Sequence, residues 1–453
     1  MFMANSLREQ RATARYVPVR AKFAIAIGVA LAWTLFSVWF ASRWIDELSA
    51  VTHPIFALVA TTFIAFVPGF MNAFLVATLL LDRRPVRVKQ PFYPGVTILI
   101  AAYQEEDAIA DTLESIAGED YPGPVEVLVL DDGSTDATAD CARQAVDRLA
   151  FPPNVDVRIL QFAVNRGKAA VLNNGLAEAR HGLIVTIDGD SRLAEDALTD
   201  IVERLLCDPP GTMAVAGAIL VRNSRENLMT GVQEWDYFHG IAAVKRMQSM
   251  YHGTLVAQGA FSVYRREALE GVGGWPECVG EDIVLTWAML KKGWRIGYAE
   301  DAIAFTNAPT TFKQFALQRK RWARGMVEAL HHHEDLLFKP RMSTMFIWWN
   351  LLFLPLDLTY TLIFIPSIVA AIFFGLFWIA GPMTLAVLPL AGLWNLVIYR
   401  IQTRMFREQG MRVRHNPGGL VFYLFVYTLL MQPVCVWGYV SELAGLTKKW
   451  GTK

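Results

Sequence analysis

The sequence predicts an α/β domain on a mostly parallel sheet, flanked by α-helical transmembrane segments. Three observations point there. Short β-branched runs alternate with helical patterns through the middle of the chain. A polar motif follows each of four such runs. Long stretches nearly free of charge lie before residue 92 and after residue 330.

The chain has 453 residues, 54% of them hydrophobic, and 42 basic residues balance 42 acidic ones. Bulk charge therefore points to no partner, and nothing points to a nucleic acid. The four cysteines are far apart and form no CxxC pair, which argues against a disulfide framework or zinc site and fits a reducing compartment.

Residues 1–91 read as a basic N-terminal tail and two transmembrane helices, Phe23–Ala41 and His53–Leu81. A span needs roughly 20 apolar residues. The first follows a basic tail but lacks a small-residue cleavage site, so it is read as retained. Residues 331–453 hold three more candidates, Met345–Phe377, Pro382–Tyr399 and Gly419–Val440. The N-terminus, the segment DRRPVRVKQ and the loop 400–415 are basic and are expected in the cytoplasm. Five crossings satisfy that set and leave the tail TKKWGTK outside. Met345–Phe377 is long for one crossing, so its first part is expected to lie along the interface.

Residues 92–330 carry the strands. VTILIAA (96–102), VEVLVL (125–130), VDVRIL (155–160) and LIVTID (183–188) are the apolar runs, with helical patterns such as 105–117 and 137–150 between them. Ligands bind such sheets at the carboxyl ends of the strands. The motifs sit there: Tyr103-Gln104-Glu105-Glu106, Asp131-Asp132-Gly133-Ser134, Asn165-Arg166-Gly167-Lys168 and Asp188-Gly189-Asp190. Each alone has an ordinary reading. DDGSTD is also a turn with Ser134 or Thr135 capping the next helix, NRGK a turn, and DGD a solvated turn. Four at consecutive strand ends read as one site. In extended backbone, Asp188 and Asp190 point the same way and can share a divalent cation.

Further on, Glu281-Asp282 opens an amphipathic helix. Acids there favour the helix dipole; they also supply a general base for a poorly acidic hydroxyl. In FALQRKRWARGM (315–326), Gln318, Arg321 and Trp322 share one helical face at i, i+3, i+4. Arg321 can pair a phosphate with two parallel bonds, and Trp322 can stack on a sugar. Arg319, Lys320 and Arg324 are read as a membrane flank. His331-His332-His333 is read as a polar linker rather than a metal cluster.

The order DDG, DGD, GED, QRKRW resembles the processive membrane family-2 glycosyltransferases, the synthases of cellulose, chitin, hyaluronan and poly-β-1,6-N-acetylglucosamine. The match runs from about Ile98 to Met326. The stretch from Ala257 to Trp294 looks most like the poly-N-acetylglucosamine branch. The resemblance implies a nucleotide-diphospho-sugar transferase fold (GT-A, Rossmann-like) on the cytoplasmic face of a bacterial inner membrane. It implies that Tyr103 and Glu105 contact uracil and ribose, Asp132 the uracil, Lys168 the diphosphate and Asp188 the nucleotide. Asp190 would ligate Mg2+ or Mn2+. Asp282 would be the catalytic base, with Glu281 beside it. Gln318, Arg321 and Trp322 would bind diphosphate and acceptor. Gln258 and Gly259 fall where the family contacts the acceptor. Two departures stand out: AAYQEE lacks the usual Pro and Asn, and GED replaces the commoner TED.

The implied activity is inverting polymerisation of a UDP-sugar, UDP-GlcNAc first, with secretion of the polysaccharide. A glucan, chitin-oligosaccharide or hyaluronan-type synthase is the alternative, as is a single-transfer enzyme acting on a lipid carrier. A non-enzymatic transporter would have lost Asp282 or the DGD carboxylates, and both are present. Expected partners are the donor, the growing polysaccharide and membrane lipid. A small membrane subunit or a cyclic-dinucleotide-dependent regulator acting on the basic loop 400–415 stays open.

Overall fold

The computed structural model describes residues 17–83, 88–408, 410, 411, 413 and 416–447. Most of the basic N-terminal tail, part of DRRPVRVKQ, half of the loop 409–416 and most of TKKWGTK lie outside the described residues.

Eight strands form one sheet: β1 (Val96–Ala102), β2 (Val125–Asp131), β3 (Val155–Gln161), β4 (Leu183–Asp188), β5 (Arg192–Leu193), β6 (Thr212–Val221), β7 (Phe261–Arg265) and β8 (Arg295–Thr306). Their order is β3-β2-β1-β4-β7-β6-β8-β5. The four expected strands are the parallel half. β1, β2 and β4 read as near-continuous apolar runs because helices cover both faces; Ile98, Leu99 and Ile100 are all fully buried, whereas the edge strand β3 is only partly buried, with Asp156 and Gln161 exposed. β7 runs antiparallel to β4 and β6. In register, Asp131 stands beside Ala102 and Asp188 is opposite Ala101, so their motifs emerge at one edge. β2 and β4 lie on opposite sides of β1, and that reversal opens a crevice at their carboxyl ends.

The helices of this domain are α3 (Ile109–Ala117), α4 (Thr138–Arg148), α5 (Lys168–Glu178), α6 (Ala197–Cys207), α7 (228–250), α8 (Arg266–Val272), α9 (Glu281–Lys291) and α10 (Phe312–His332). Before them stand α1 (Val19–Val51) and α2 (Pro54–Leu80), and after them α11 (Thr344–Phe374), α12 (Pro382–Glu408) and α13 (Pro417–Leu443). These last five are long and apolar enough to cross a membrane. Leu35 and Trp39 turn 72% and 71% of their surface outward, as a lipid-facing helix does.

The segment 345–377 is built around one long helix: α11 runs unbroken from Thr344 to Phe374, with a π-helical turn at Tyr360–Phe364. Pro366 follows directly, and a proline ring clashes with the carbonyl four residues back. The wider turn relieves that clash. The same device, Thr62–Phe66 before Pro68, keeps α2 continuous.

Candidate active site

The first two motifs are laced together. Gln104 takes a left-handed conformation (φ 59°), and its backbone N–H donates to Ser134 Oγ. The Glu105 N–H donates to Thr138 Oγ1 at 2.8 Å, and Ala137 N–H to Glu106 Oε2 at 3.0 Å. Neither Ser134 nor Thr135 caps α4: the N-cap is Ala137, which has no side-chain cap, and Asp136 Oδ1 accepts the Thr138 N–H at 3.0 Å in a local turn. Ser134 is spent on Gln104 instead. Gly133 has φ 68°, and a Cβ there would come within 2.6 Å of the Val164 backbone.

Asp132 joins the second motif to the third. Its two oxygens accept the backbone N–H groups of Arg166 (2.7 Å) and Gly167 (2.8 Å). It is 3% exposed, and burial raises its carboxyl, those two hydrogen bonds opposing. Asp132 thus ties two loops that wall the crevice. Tyr103, at the mouth, is 37% exposed.

Lys168 opens α5 and is the buried cation of the crevice. It forms a close ion pair with Asp188 and lies 3.8 Å from Glu281 Oε1. Burial lowers the ammonium, but Asp188 and Glu281 outweigh it and raise the group overall. Gly259 makes the room: a Cβ there would stand 2.4 Å from Lys168 Nζ.

The DGD motif is not extended strand throughout. β4 ends at Asp188, and Gly189 and Asp190 form a turn, so strand alternation no longer applies. Asp188 faces Lys168, while Asp190 Oδ2 accepts from Thr306 Oγ1 at 3.4 Å, at the end of β8. Among the described residues no group of three or more His, Cys, Asp or Glu gathers. A cage made by the protein alone is not what these residues suit. One or two carboxylates beside a diphosphate suit Mg2+ or Mn2+, with phosphate oxygens and waters completing the shell. The donor set therefore fits.

Glu281 and Asp282 begin α9 as expected. Glu281 is buried, and burial and then Asp282 raise its carboxyl to about 7 against the pull of Lys168 and Arg321. Thr286 accepts the Ala257 N–H (2.9 Å) and donates to the Asp282 carbonyl (2.6 Å), so α9 carries the loop 256–260 with it. Gln258 Nε2 donates to the Gly217 carbonyl at 2.6 Å.

α10 opens with a capping box on Thr311 and Gln314. Trp322 is 39% exposed, with Arg321 beside it acting on Glu281 through its charge. The flank reading of Arg319 and Arg324 is corrected. Arg319 is 4% exposed and meets Asp236 at 2.8 Å. Arg324 is 5% exposed, pairs with Glu442 at 2.8 Å and donates to the Leu446 and Thr447 carbonyls beyond α13. Lys320 stays nearer the surface, 3.7 Å from the Trp437 ring centre. His332 and His333 contact the Glu328 and Val284 carbonyls, as a polar linker would.

A family model described as "Glycosyltransferase like family 2" matches residues 94–325, more than half of the chain. The chain belongs to glycosyltransferase family 2. It is 29% identical over 279 residues to a poly-beta-1,6-N-acetyl-D-glucosamine synthase of Staphylococcus epidermidis, covering 59% of this chain and 66% of the relative. It is 31% identical over 237 residues to the synthase of that name in Staphylococcus aureus (strain MSSA476), covering 52% and 55%. The matches thus span two thirds or less of these relatives. Among solved structures, it resembles the mannosyltransferase PcManGT from Pyrobaculum calidifontis in complex with GDP-Man and Mn2+, with a TM-score of 0.59 and 22% identity over 85% of this chain and 98% of that one. That likeness supports the GT-A fold.

The family-2 domain thus gathers Lys168, Asp188, Gly259, Glu281, Asp282 and Arg321 around one crevice. One residue there escaped sequence reasoning. Lys245 of α7 is 9% exposed and donates to the Val256 carbonyl at 3.0 Å, at the root of the 256–260 loop. Burial pulls its ammonium down to about 7, with the charge of Asp282 opposing. Its only signal in the sequence is a lysine among Ala243, Val244 and Met247.

Proposed function

We propose that this family-2 glycosyltransferase is a processive inverting enzyme that polymerises UDP-GlcNAc and passes the β-linked polysaccharide across the bacterial inner membrane. The observation that carries this reading is the convergence of a buried cation, Lys168, a carboxylate pair at the start of α9, and the Arg321–Trp322 face of α10. It also rests on the named Staphylococcus relatives. The proposed domain layout is 1–91 as a basic tail and two transmembrane helices, 92–330 as cytoplasmic catalytic domain, and 331–453 as an interfacial helix region and about three transmembrane helices.

Tyr103 and Glu105 form the uracil and ribose wall, and Asp132 sets that wall by holding 166–167. Lys168 and Arg321 lie against the diphosphate, with Asp188 on the nucleotide. Asp190 would hold the divalent ion, which when bound offsets charge on the leaving diphosphate. The hydroxyl of the growing end lies on Trp322, with Gln258, Gly259 and Gln318 lining its approach. Its oxygen attacks the anomeric carbon as the bond to UDP breaks, and Asp282 takes the proton. A single displacement inverts the α-linked donor to a β-linkage. Lys168 and Arg321 stabilise the charge that develops on the departing UDP.

Membranes carrying the full chain, incubated with radiolabelled UDP-sugars and Mg2+, test this. A long polymer from UDP-GlcNAc, absent in Asp282→Asn, is the expected result. A single sugar on lipid would replace this reading with single transfer. Polymer from UDP-glucose alone would move it to a glucan synthase.

A further inference from the structure

The QRKRW stretch contains a cation that the chemistry above leaves unused. Arg319 lies buried one turn before Trp322. Its guanidinium carbon is 4.1 Å from the centre of the Trp322 ring and 5.2 Å from that of Phe315. Phe315, Arg319 and Trp322 fall at i, i+4 and i+7, so the three form a ladder along one face of α10. A guanidinium is planar and weakly hydrated and stacks on aromatic faces in a way an ammonium does not.

The ladder is anchored from outside its own helix. Asp236 of α7 meets Arg319 at 2.8 Å, an ionic contact without the alignment of a hydrogen bond. Gly240, one turn further along α7, leaves the space: a Cβ there would lie 2.8 Å from Asp236 Oδ1 and 3.5 Å from the Tyr423 hydroxyl. Tyr237, next to Asp236, approaches Trp322 directly, ring centres 6.3 Å apart. Tyr427 of α13 packs edge-on against Phe315 at 5.7 Å. So α7 and the last apolar helix both fix the position of the indole.

Burying an ion pair is a poor route to stability, because desolvation opposes the attraction. Apolar side chains would fill the same space. What the pair supplies is orientation: Arg319 and Tyr237 hold the indole from two sides and leave 39% of Trp322 exposed. We propose that Arg319 is a positioning residue for the acceptor. Locked by Asp236, it sets the angle at which Trp322 meets the sugar at the growing end. This rests on reading Trp322 as the acceptor platform, and the experiment separates the two.

Arg319→Lys keeps a charge for Asp236 but removes the flat face. With UDP-GlcNAc and a defined β-1,6-linked GlcNAc oligosaccharide, the full-length variant should show an acceptor KM raised about tenfold and shorter product. Its donor KM and its slow release of UDP to water should be unchanged. Asp236→Asn, which leaves the guanidinium but frees it, should shift the acceptor KM the same way. Lys variants that elute as folded protein and elongate normally would overturn the proposal, as would a normal acceptor KM in Asp236→Asn. Trp322→Ala is the control. If it elongates normally, the platform reading itself fails and takes this inference with it. If it truncates the product while Arg319→Lys does not, only the role of Arg319 fails.

Discussion

Gly280 and Gly325 meet backbone to backbone. A Cβ on Gly280 would sit 2.5 Å from Gly325 Cα, and one on Gly325 would sit 2.8 Å from Gly280 Cα. Gly280 precedes Glu281-Asp282 and Gly325 follows Trp322 by three residues, so this contact helps set the distance between the Glu281-Asp282 pair and Trp322. Glu328 reinforces it by accepting the Gly280 N–H at 2.8 Å. Gly325→Ala favours the helix locally yet must push α9 and α10 apart. We expect a stability loss of about 1–3 kcal/mol and a larger loss of transfer than of donor binding. Thermal unfolding and UDP-release kinetics measure the two. Unchanged kinetics would show that the contact does not govern the site.

Gly259 and Lys168 give the second prediction. Gly259→Ala places a methyl group where the ammonium now sits. A lysine tip can move, so the protein should fold, but Nζ must leave Asp188 or Glu281. Donor KM should rise about tenfold or more, as for loss of a charged hydrogen bond. Lys168→Met should do the same. Isothermal titration with UDP reads both without turnover, and wild-type UDP affinity in either variant would remove Lys168 from the diphosphate.

Much of this was legible in the sequence, for a physical reason. β1, β2 and β4 are buried on both faces, β3 is a partly buried edge strand, and all four end in polar turns, so hydrophobic runs and motifs coincide. The start of α9 and the helical face of Gln318, Arg321 and Trp322 were read from local spacing alone. What escaped depends on partners far along the chain. α7 hides Asp236, His239, Lys245 and Arg246 in its buried face, so no apolar stripe announces it. Arg319 finds Asp236 some 83 residues away, and Arg324 finds Glu442 118 residues away, so a basic run that reads as a solvated flank is largely internal. The extended backbone expected for the DGD pair fails for a different reason: β4 stops at Asp188, two residues before Asp190, so strand alternation does not reach across the pair.

Two buried groups give opposite pH dependences. Glu281 is raised from its ordinary 4.5 to about 7. Between those values the folded chain keeps a proton that the unfolded chain has released, so stability falls as pH rises through that window. Lys245 is lowered from 10.5 to about 7. There the unfolded chain binds the extra proton, so stability rises with pH from about 7 upward. Glu281→Gln should flatten the acid-side slope of Tm against pH, and Lys245→Met the alkaline-side slope. A Tm profile that neither variant changes would mean that neither proton is held as the packing implies.

The basic run before the last spans offers the final prediction, because its members now have different tasks. Lys320 rests on Trp437 near the surface, and contacts of that kind contribute about 0.5–1 kcal/mol at exposed sites. Lys320→Ala should therefore be tolerated in both folding and turnover. Arg321 is proposed to lie against the diphosphate, so Arg321→Ala should abolish transfer with little change in Tm. Arg324 reaches neither substrate nor solvent. It neutralises Glu442 and satisfies two carbonyls where α13 ends. Arg324→Ala removes the ion pair with Glu442, whose side chain is 13% exposed, and the donors to two carbonyls, at a cost of about 1–3 kcal/mol, while activity per folded molecule persists. The double variant Arg324→Ala/Glu442→Ala should recover part of that loss, since Glu442 no longer faces that site without the guanidinium. Measuring Tm and turnover across these four proteins separates a membrane flank, a catalytic cation and a structural tie. A uniform response, with all three single variants losing activity in proportion to stability, would return the whole stretch to a scaffold role.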